Sequence, residues 1–275
     1  MSVRRRNALL WLASAPILLF SVGPLYYAFV TSVGRGTQAL EPHLFPASWS
    51  LENYVAVFRE QPFGWSILNS LLIAGAAVGV ALLLGLIAAY ALGRLQFGGR
   101  SVLMASFLCV SMFPQIAMLS GLFELIRALG LYNTRVGLTL CYLILTCPFT
   151  VWLLTTYMRE IPREIEEAAI IDGASPWVIA SRVFAPVMAP ALVSTGLLAF
   201  VAAWNEFLFA LTFTLTPEKR TVPVAIALMS GASAYELPWG QIMAASVIVS
   251  VPIVVMALVF QRRIVAGLTA GALKG

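Results

Sequence analysis

Three groups of residues in this 275-residue chain have types and spacings that could do chemistry. Trp204, Asn205 and Glu206 stand in succession inside a long apolar run, and Glu160, Glu164, Glu166, Glu167 and Asp172 crowd a short polar stretch. Cys109, Cys141 and Cys147 all lie among apolar residues, where cysteine behaves as a small hydrophobe. If the run around Glu206 crosses a bilayer, an isolated charge there costs about 2.5–3.5 kcal/mol, so the carboxylate must face a polar cavity or a partner. Three readings stand: it lines a polar path, it pairs with a neighbouring helix or subunit, or it sits high enough to be interfacial. A path built from Trp204, Asn205 and Glu206 would suit a sugar, whose C–H faces an indole covers and whose hydroxyls an amide and a carboxylate bond. Asn69, Ser70 and Gln115 are weaker path candidates, because single polar residues in spans mostly serve packing. The single histidine, His43, argues against a His-rich metal site. A phosphate-binding loop needs G-x-x-x-x-G-K-[ST], but the lysines are Lys219, after Glu218, and Lys274, after Leu273. The chain is therefore expected to bind no nucleotide or other cofactor and to catalyse nothing itself.

The elements that must position these residues are set by composition. Hydrophobic residues make up 60% of the chain, charged ones only 11%, and the mean hydropathy is +0.91. Several runs reach the ~20 apolar residues a crossing requires, and their continuity points to helices rather than the short alternating strands of a barrel. Six spans are expected, near 8–33, 67–92, 101–121, 136–158, 187–215 and 241–261. The first imitates a signal peptide, with Arg4, Arg5 and Arg6 ahead of it, but it is too long for one and reads as an uncleaved helix. With the N-terminus inside, eleven of the 17 basic residues fall in inner segments: Arg4, Arg5, Arg6, Arg94, Arg100, Arg159, Arg163, Arg182, Arg262, Arg263 and Lys274. Both termini are accordingly expected in the cytoplasm. Basic residues beside spans also account for the net charge of +5, so membrane lipid, not nucleic acid, is the expected partner of that charge. Pro114, Pro148 and Pro252 predict kinks. Gly75-x-x-x-Gly79 permits close helix approach, with ordinary packing the commoner use. Outside, Ser50 is placed to cap a short helix near 51–60, and residues 122–135 read as a short amphipathic helix.

The inner loop 159–186 is the most informative stretch. Pro162 suits a first helical position, and Glu164, Glu166 and Glu167 favour the positive end of that helix. Gly173 can end it in a left-handed turn. Ser175 then caps a second helix with Pro176 at its first position, and Pro186 marks the turn into the fifth span. The product is an elbow of two short helices that is acidic where the inner leaflet attracts bases. Ile161, Ile165, Ala168, Ala169 and Ile171 leave apolar surface to cover. Such an elbow suits a groove in a cytoplasmic protein; packing on the chain's own helices is the competing reading.

Glu167-Ala168-Ala169, then Gly173, then Val183-Phe184-Ala185-Pro186 resembles the E-A-A, G, I-x-L-P loop of ATP-binding-cassette importer permeases, with Ala185 departing from the leucine. Asp172-Gly173-Ala174, Trp204-Asn205-Glu206-Phe207 and Gly267-Leu268-Thr269-Ala270-Gly271 are similar to MalG-type sugar permeases. The resemblance spans essentially the whole chain. It implies an all-α membrane protein of the type I importer permease fold, multi-pass in a bacterial inner membrane, with a first helix and outer loop at 1–66, a transmembrane domain at 67–265 and a tail at 266–275. It implies partners: a second, MalF-like permease, two ATPase subunits that hold ATP and Mg, and an extracytoplasmic solute-binding protein or lipoprotein. In it, Glu164, Glu167, Ala168, Ala169, Asp172, Gly173, Ala174, Pro176 and Pro186 dock on an ATPase. The outer loop 216–240, at Ser230, Gly231, Ala232, Ser233, Ala234 and Tyr235, meets the binding protein. The cargo implied is a sugar, a disaccharide such as trehalose or maltose, with glycerol phosphate or an oligosaccharide as alternatives. A secondary transporter is the rival class, but neither an internal repeat nor several buried charges support it.

Overall fold

The computed structural model of the chain describes residues 3–35, 44–46, 48–229 and 237–270. Among them the chain is helical throughout, with no strand. The order is α1 (Val3–Ser32), α2 (Glu52–Glu60), α3 (Phe63–Arg94), α4 (Arg100–Ser111), α5 (Gln115–Ala128), α6 (Arg135–Glu160), α7 (Glu164–Ile171), α8 (Pro176–Val178), a π-helical stretch (Ile179–Phe184), α9 (Ala185–Val187), α10 (Ala189–Trp204), α11 (Leu208–Phe213), α12 (Val222–Ala227) and α13 (Trp239–Ala270). Apolar length decides this, because a crossing segment has no water to satisfy its backbone and must bond it internally.

Among the described residues, four helices are long and apolar enough to cross a membrane: Trp11–Ser32, Phe63–Arg94, Arg135–Glu160 and Trp239–Gln261. Two further pairs qualify only as bent units, Arg100–Ser111 with Gln115–Ala128 at 97° and Pro176–Val187 with Ala189–Trp204 at 79°. The third expected span is thus broken before Pro114, which has no amide to continue the ladder. The amphipathic helix expected at 122–135 is the second half of α5 instead. The fifth span stops at Trp204 and resumes as α11. By contrast α6 and α13 run on through Pro148 and Pro252.

The chain divides into two compact units, Met1–Gly64 with Ala225–Pro252, and Trp65–Val224 with Ile253–Gly275. In the first, Asn53 Nδ2 donates to the carbonyls of Ser32 and Gly34, each at 2.9 Å, and pins α2 to the end of α1. Ser50 Oγ accepts from the Glu52 amide at 3.1 Å, but the N-cap position of α2 falls to Leu51, one residue beyond the expected cap.

In the second unit α3 and α6 lie side by side and run in the same direction. An added Cβ at Gly85 would come within 2.8 Å of Thr150, and one at Gly93 within 2.6 Å of Met158, so contact advances along both helices together. Arg135 Nε, in the first turn of α6, donates to Asn69 Oδ1 in the second turn of α3, and Arg159 Nη2 donates to the Leu92 carbonyl in their last turns. Parallel neighbours require the chain to travel back between them, and α4 with α5 makes that return. A Cβ added at Gly75 or Gly79 would meet nothing of the described chain within 4 Å. The end of this unit where α3 and α6 finish is filled by Ala89, Tyr90, Leu154, Met158, Ile179, Ala180, Phe184 and Met188.

Candidate functional site

The elbow is built as the spacing of its residues requires. α7 begins at Glu164, two residues later than Pro162 suggested, and places Glu164, Glu166 and Glu167 in its first turn. It ends in a Schellman turn: the Gly173 amide donates to Ile170 O at 2.9 Å and the Ala174 amide to Ala169 O at 3.0 Å, with Gly173 at φ +76°. Ser175 Oγ then accepts from the Val178 amide at 3.4 Å, and Pro176 holds the first position of α8. A short π-helical stretch carries the chain to Ala185 and Pro186 in α9, and the 79° bend at Met188 turns it into α10.

Two faces of α7 do different work. Glu164, Glu167, Ala168, Asp172, Gly173 and Pro176 are exposed. So are Ile170, Ile171 at 85% and Trp177 at 61%, large apolar side chains that a solvated loop would not hold out. Ile170 and Trp177 were not among the expected docking residues; their types allowed it, but only the helix phase set by the Gly173 turn shows which way they point. Ala169 departs from expectation in the other direction. It is buried among Tyr90, Met158 and Ile179, because consecutive helical residues lie ~100° apart and cannot share a face with Ala168. Glu166 also turns inward, its side chain 15% exposed and 3.8 Å from Arg94.

The intramembrane cluster separates in the same way. Trp204 is buried, stacked on Phe200 with centroids 5.6 Å apart, and so offers no free ring face. Asn205 is exposed and donates from Nδ2 to Val201 O at 2.8 Å. Glu206 is buried, and its two carboxyl oxygens accept from the Phe209 amide at 2.7 Å and the Ala210 amide at 3.0 Å. Those amides lost their helical partners when α10 broke, so Glu206 re-satisfies the backbone of α11. None of the three sequence readings anticipated this, since it depends on a helix break that hydropathy does not reveal. Tyr142 Oη donates to the Glu206 carbonyl at 3.4 Å.

Asn69 is fully buried and belongs to a different place, toward the N-terminal end of α3. Its Nδ2 donates to Glu218 O at 2.8 Å and Arg220 O at 3.0 Å, while Ser70 Oγ accepts from the Val222 amide at 2.9 Å. Together they tie down the segment that follows α11. Asn133, at φ +56°, accepts from the amides of Leu215 and Thr216 and holds its other side. Gln115, half-buried, opens α5 after the break. Trp204, Asn205, Glu206, Asn69 and Gln115 therefore do not converge on one cavity wall. Ser230, Gly231, Ala232, Ser233, Ala234 and Tyr235 lie outside the described residues. No group of three or more His, Cys, Asp or Glu that could hold a metal occurs among the described residues.

Comparison with known proteins gives one consistent answer. Residues 81–269 match the family described as binding-protein-dependent transport system inner membrane component. The chain is 38% identical to the trehalose transport system permease protein SugB of Mycobacterium tuberculosis over 98% of its own length and 99% of that protein's. It is 42% identical to the trehalose/maltose transport system permease protein MalG of Thermococcus litoralis, over 98% of each. It is 37% identical to the sulfoquinovosyl glycerol transport system permease protein SmoH of Agrobacterium fabrum, over 96% of this chain and 93% of that one. The fold is shared with a chain from the crystal structure of a bacterial ABC transporter that imports the acidic polysaccharide alginate, at a TM-score of 0.80 and 23% identity, over 95% and 98% of the two chains.

Proposed function

The chain belongs to the family of binding-protein-dependent transport system inner membrane components, and from that premise we propose that it is the permease half that carries a sugar through the membrane while partner subunits hydrolyse ATP. It is a multi-pass inner-membrane protein; each bent pair taken as one crossing gives six spans, an even number that leaves both termini on one side, and the eleven basic residues of the segments on that side mark it as the cytoplasm. The parallel course of α3 and α6 supports that count for the α4–α5 pair. The exposed face of the elbow carries the ATP-coupled part of the reading. Ile170, Ile171 and Trp177 stand out beside Glu164, Glu167 and Asp172, a mixed apolar and acidic surface for a basic groove on an ATPase subunit. Ala168, Gly173, Ala174 and Pro176 let that groove approach the backbone, while buried Ala169 acts from beneath as support and exposed Pro186 stands at the bend into α10.

The cargo class rests on full-length likeness to permeases named for trehalose, for trehalose and maltose, and for sulfoquinovosyl glycerol. A neutral disaccharide fits the scarcity of buried charge best. The solute path runs over the surface that carries Asn205, facing a second, MalF-like permease; Trp204, Glu206, Asn69 and Gln115 shape it from behind. The outer segment with Ser230 to Tyr235 meets an extracytoplasmic solute-binding protein. Two ATPase subunits bind ATP and Mg, and their closure draws the two permeases' elbows together and opens the path outward. Uptake of labelled solutes by a deletion strain tests the cargo. Loss of trehalose or maltose uptake, restored by the gene, is the expected result; intact disaccharide uptake with loss of an anionic sugar derivative would overturn it.

A further inference from the structure

Four elements meet on one guanidinium at the inner end of α3. Arg94 is the last residue of that helix, and its side chain is only 4% exposed. Its Nη2 donates to the Ile161 carbonyl, just past the end of α6, at 2.6 Å. Its Nε lies 3.8 Å from Glu166 Oε2 in α7. The guanidinium also sits over the ring of Phe184, 5.0 Å from its centroid, and Phe184 packs on Tyr90 one turn back along α3. A buried charge persists only where partners offset its desolvation. Here the partners come from both sides of the Gly173 turn, α7 before it and Phe184 after it. A residue needed only to close the end of α6 would touch the carbonyl alone.

The contact with Glu166 is unfinished. Arg94 Nε is buried without a hydrogen-bond partner among the described residues, and 3.8 Å is longer than an N–H···O bond. A displacement of α7 toward α3 by roughly 1 Å would turn this ion pair into a charge-assisted hydrogen bond. The elbow is joined by the chain only to α6 and α10, so Arg94 gives it a separate connection to α3.

We propose that Arg94 is a positioning residue that couples movement of the elbow to α3 through Glu166 and Phe184. The inference rests on the function proposed above, and it concerns how the elbow's motion reaches the spans rather than what the elbow docks on. The test uses the importer reconstituted in lipid vesicles with its ATPase subunits and binding protein. Arg94→Ala and Glu166→Gln are expected to assemble and to keep hydrolysis without binding protein at the wild-type rate. Stimulation of hydrolysis by loaded binding protein is expected to fall about tenfold. Arg94→Lys, which keeps the charge without the planar fork, should fall between. Exchanging the charges, Arg94→Glu with Glu166→Arg, should recover part of the loss. Unchanged stimulation in both single variants overturns the proposal. So does equal loss of basal and stimulated hydrolysis, which is the mark of a merely structural residue. If Arg94→Ala does not assemble, Glu166→Gln decides by the same criteria. Wild-type vesicles that hydrolyse ATP without any response to binding protein would instead refute the function itself, and the inference with it.

Discussion

Gly173 and Glu206 show how much one side chain can decide in a helical membrane protein. At Gly173 the positive φ is fixed by the two hydrogen bonds of the Schellman turn, and a Cβ there would meet nothing of the described chain within 4 Å. The intramolecular cost of Gly173→Ala is therefore backbone strain alone, about 1 kcal/mol. We expect Gly173→Ala to assemble with modestly reduced uptake. Gly173→Asp places bulk and charge in the docking face and should abolish uptake without loss of membrane insertion, which membrane blotting alongside labelled-sugar uptake will read. Glu206→Gln behaves differently. An amide can accept from only one of the two backbone N–H groups and sets a donor against the other, leaving a buried group unpaired at ~1–3 kcal/mol. The expected outcome is less folded protein and a lower detergent-melting temperature, with Glu206→Asp failing for want of reach. Wild-type stability in Glu206→Gln would show that the carboxyl does not hold the break.

Between elements, α3 and α6 of the larger unit approach closely at two glycines, Gly85 and Gly93. Gly93→Ala drives a Cβ to 2.6 Å from Met158 Cγ and 3.0 Å from its Cβ, atoms near the α6 backbone that cannot swing away. Overpacking of this kind costs about 1–3 kcal/mol. Gly75→Ala meets nothing within 4 Å and should be silent for folding of this chain. Comparing the two variants by thermal melting in detergent separates a packing glycine from a merely permissive one. The sequence marked Gly75 and Gly79 as the approach pair because their spacing is regular. It could not mark Gly93, since which glycine faces a neighbour depends on the phase of both helices.

At the scale of the whole molecule, the topology makes a prediction of its own. If α4 and α5 form a crossing, cysteines placed at Gly98 and at Tyr132 lie on opposite sides of the membrane. An impermeant thiol reagent on intact cells should label the second and not the first, against a background without Cys109, Cys141 and Cys147. Labelling of both from outside would mean that the bent pair is re-entrant and the count of spans is lower. The same experiment at the termini tests their cytoplasmic placement.

Length and hydropathy were enough to determine that this protein is helical, that it lies in a membrane and roughly where its apolar segments fall, because a bilayer imposes those properties residue by residue. The elbow was legible too, since a glycine that ends one helix and a Ser-Pro that starts the next act within a few residues of themselves. Chain spacing also carried the family. Tertiary structure alone decided that Ala169 and Glu166 face inward, that Trp204 is packed away, that Glu206 bonds α11, and that Arg94 ties α3 to three other elements at once. Each of these depends on which way a helix is turned and where it breaks, and those are settled by contacts between residues far apart in the chain.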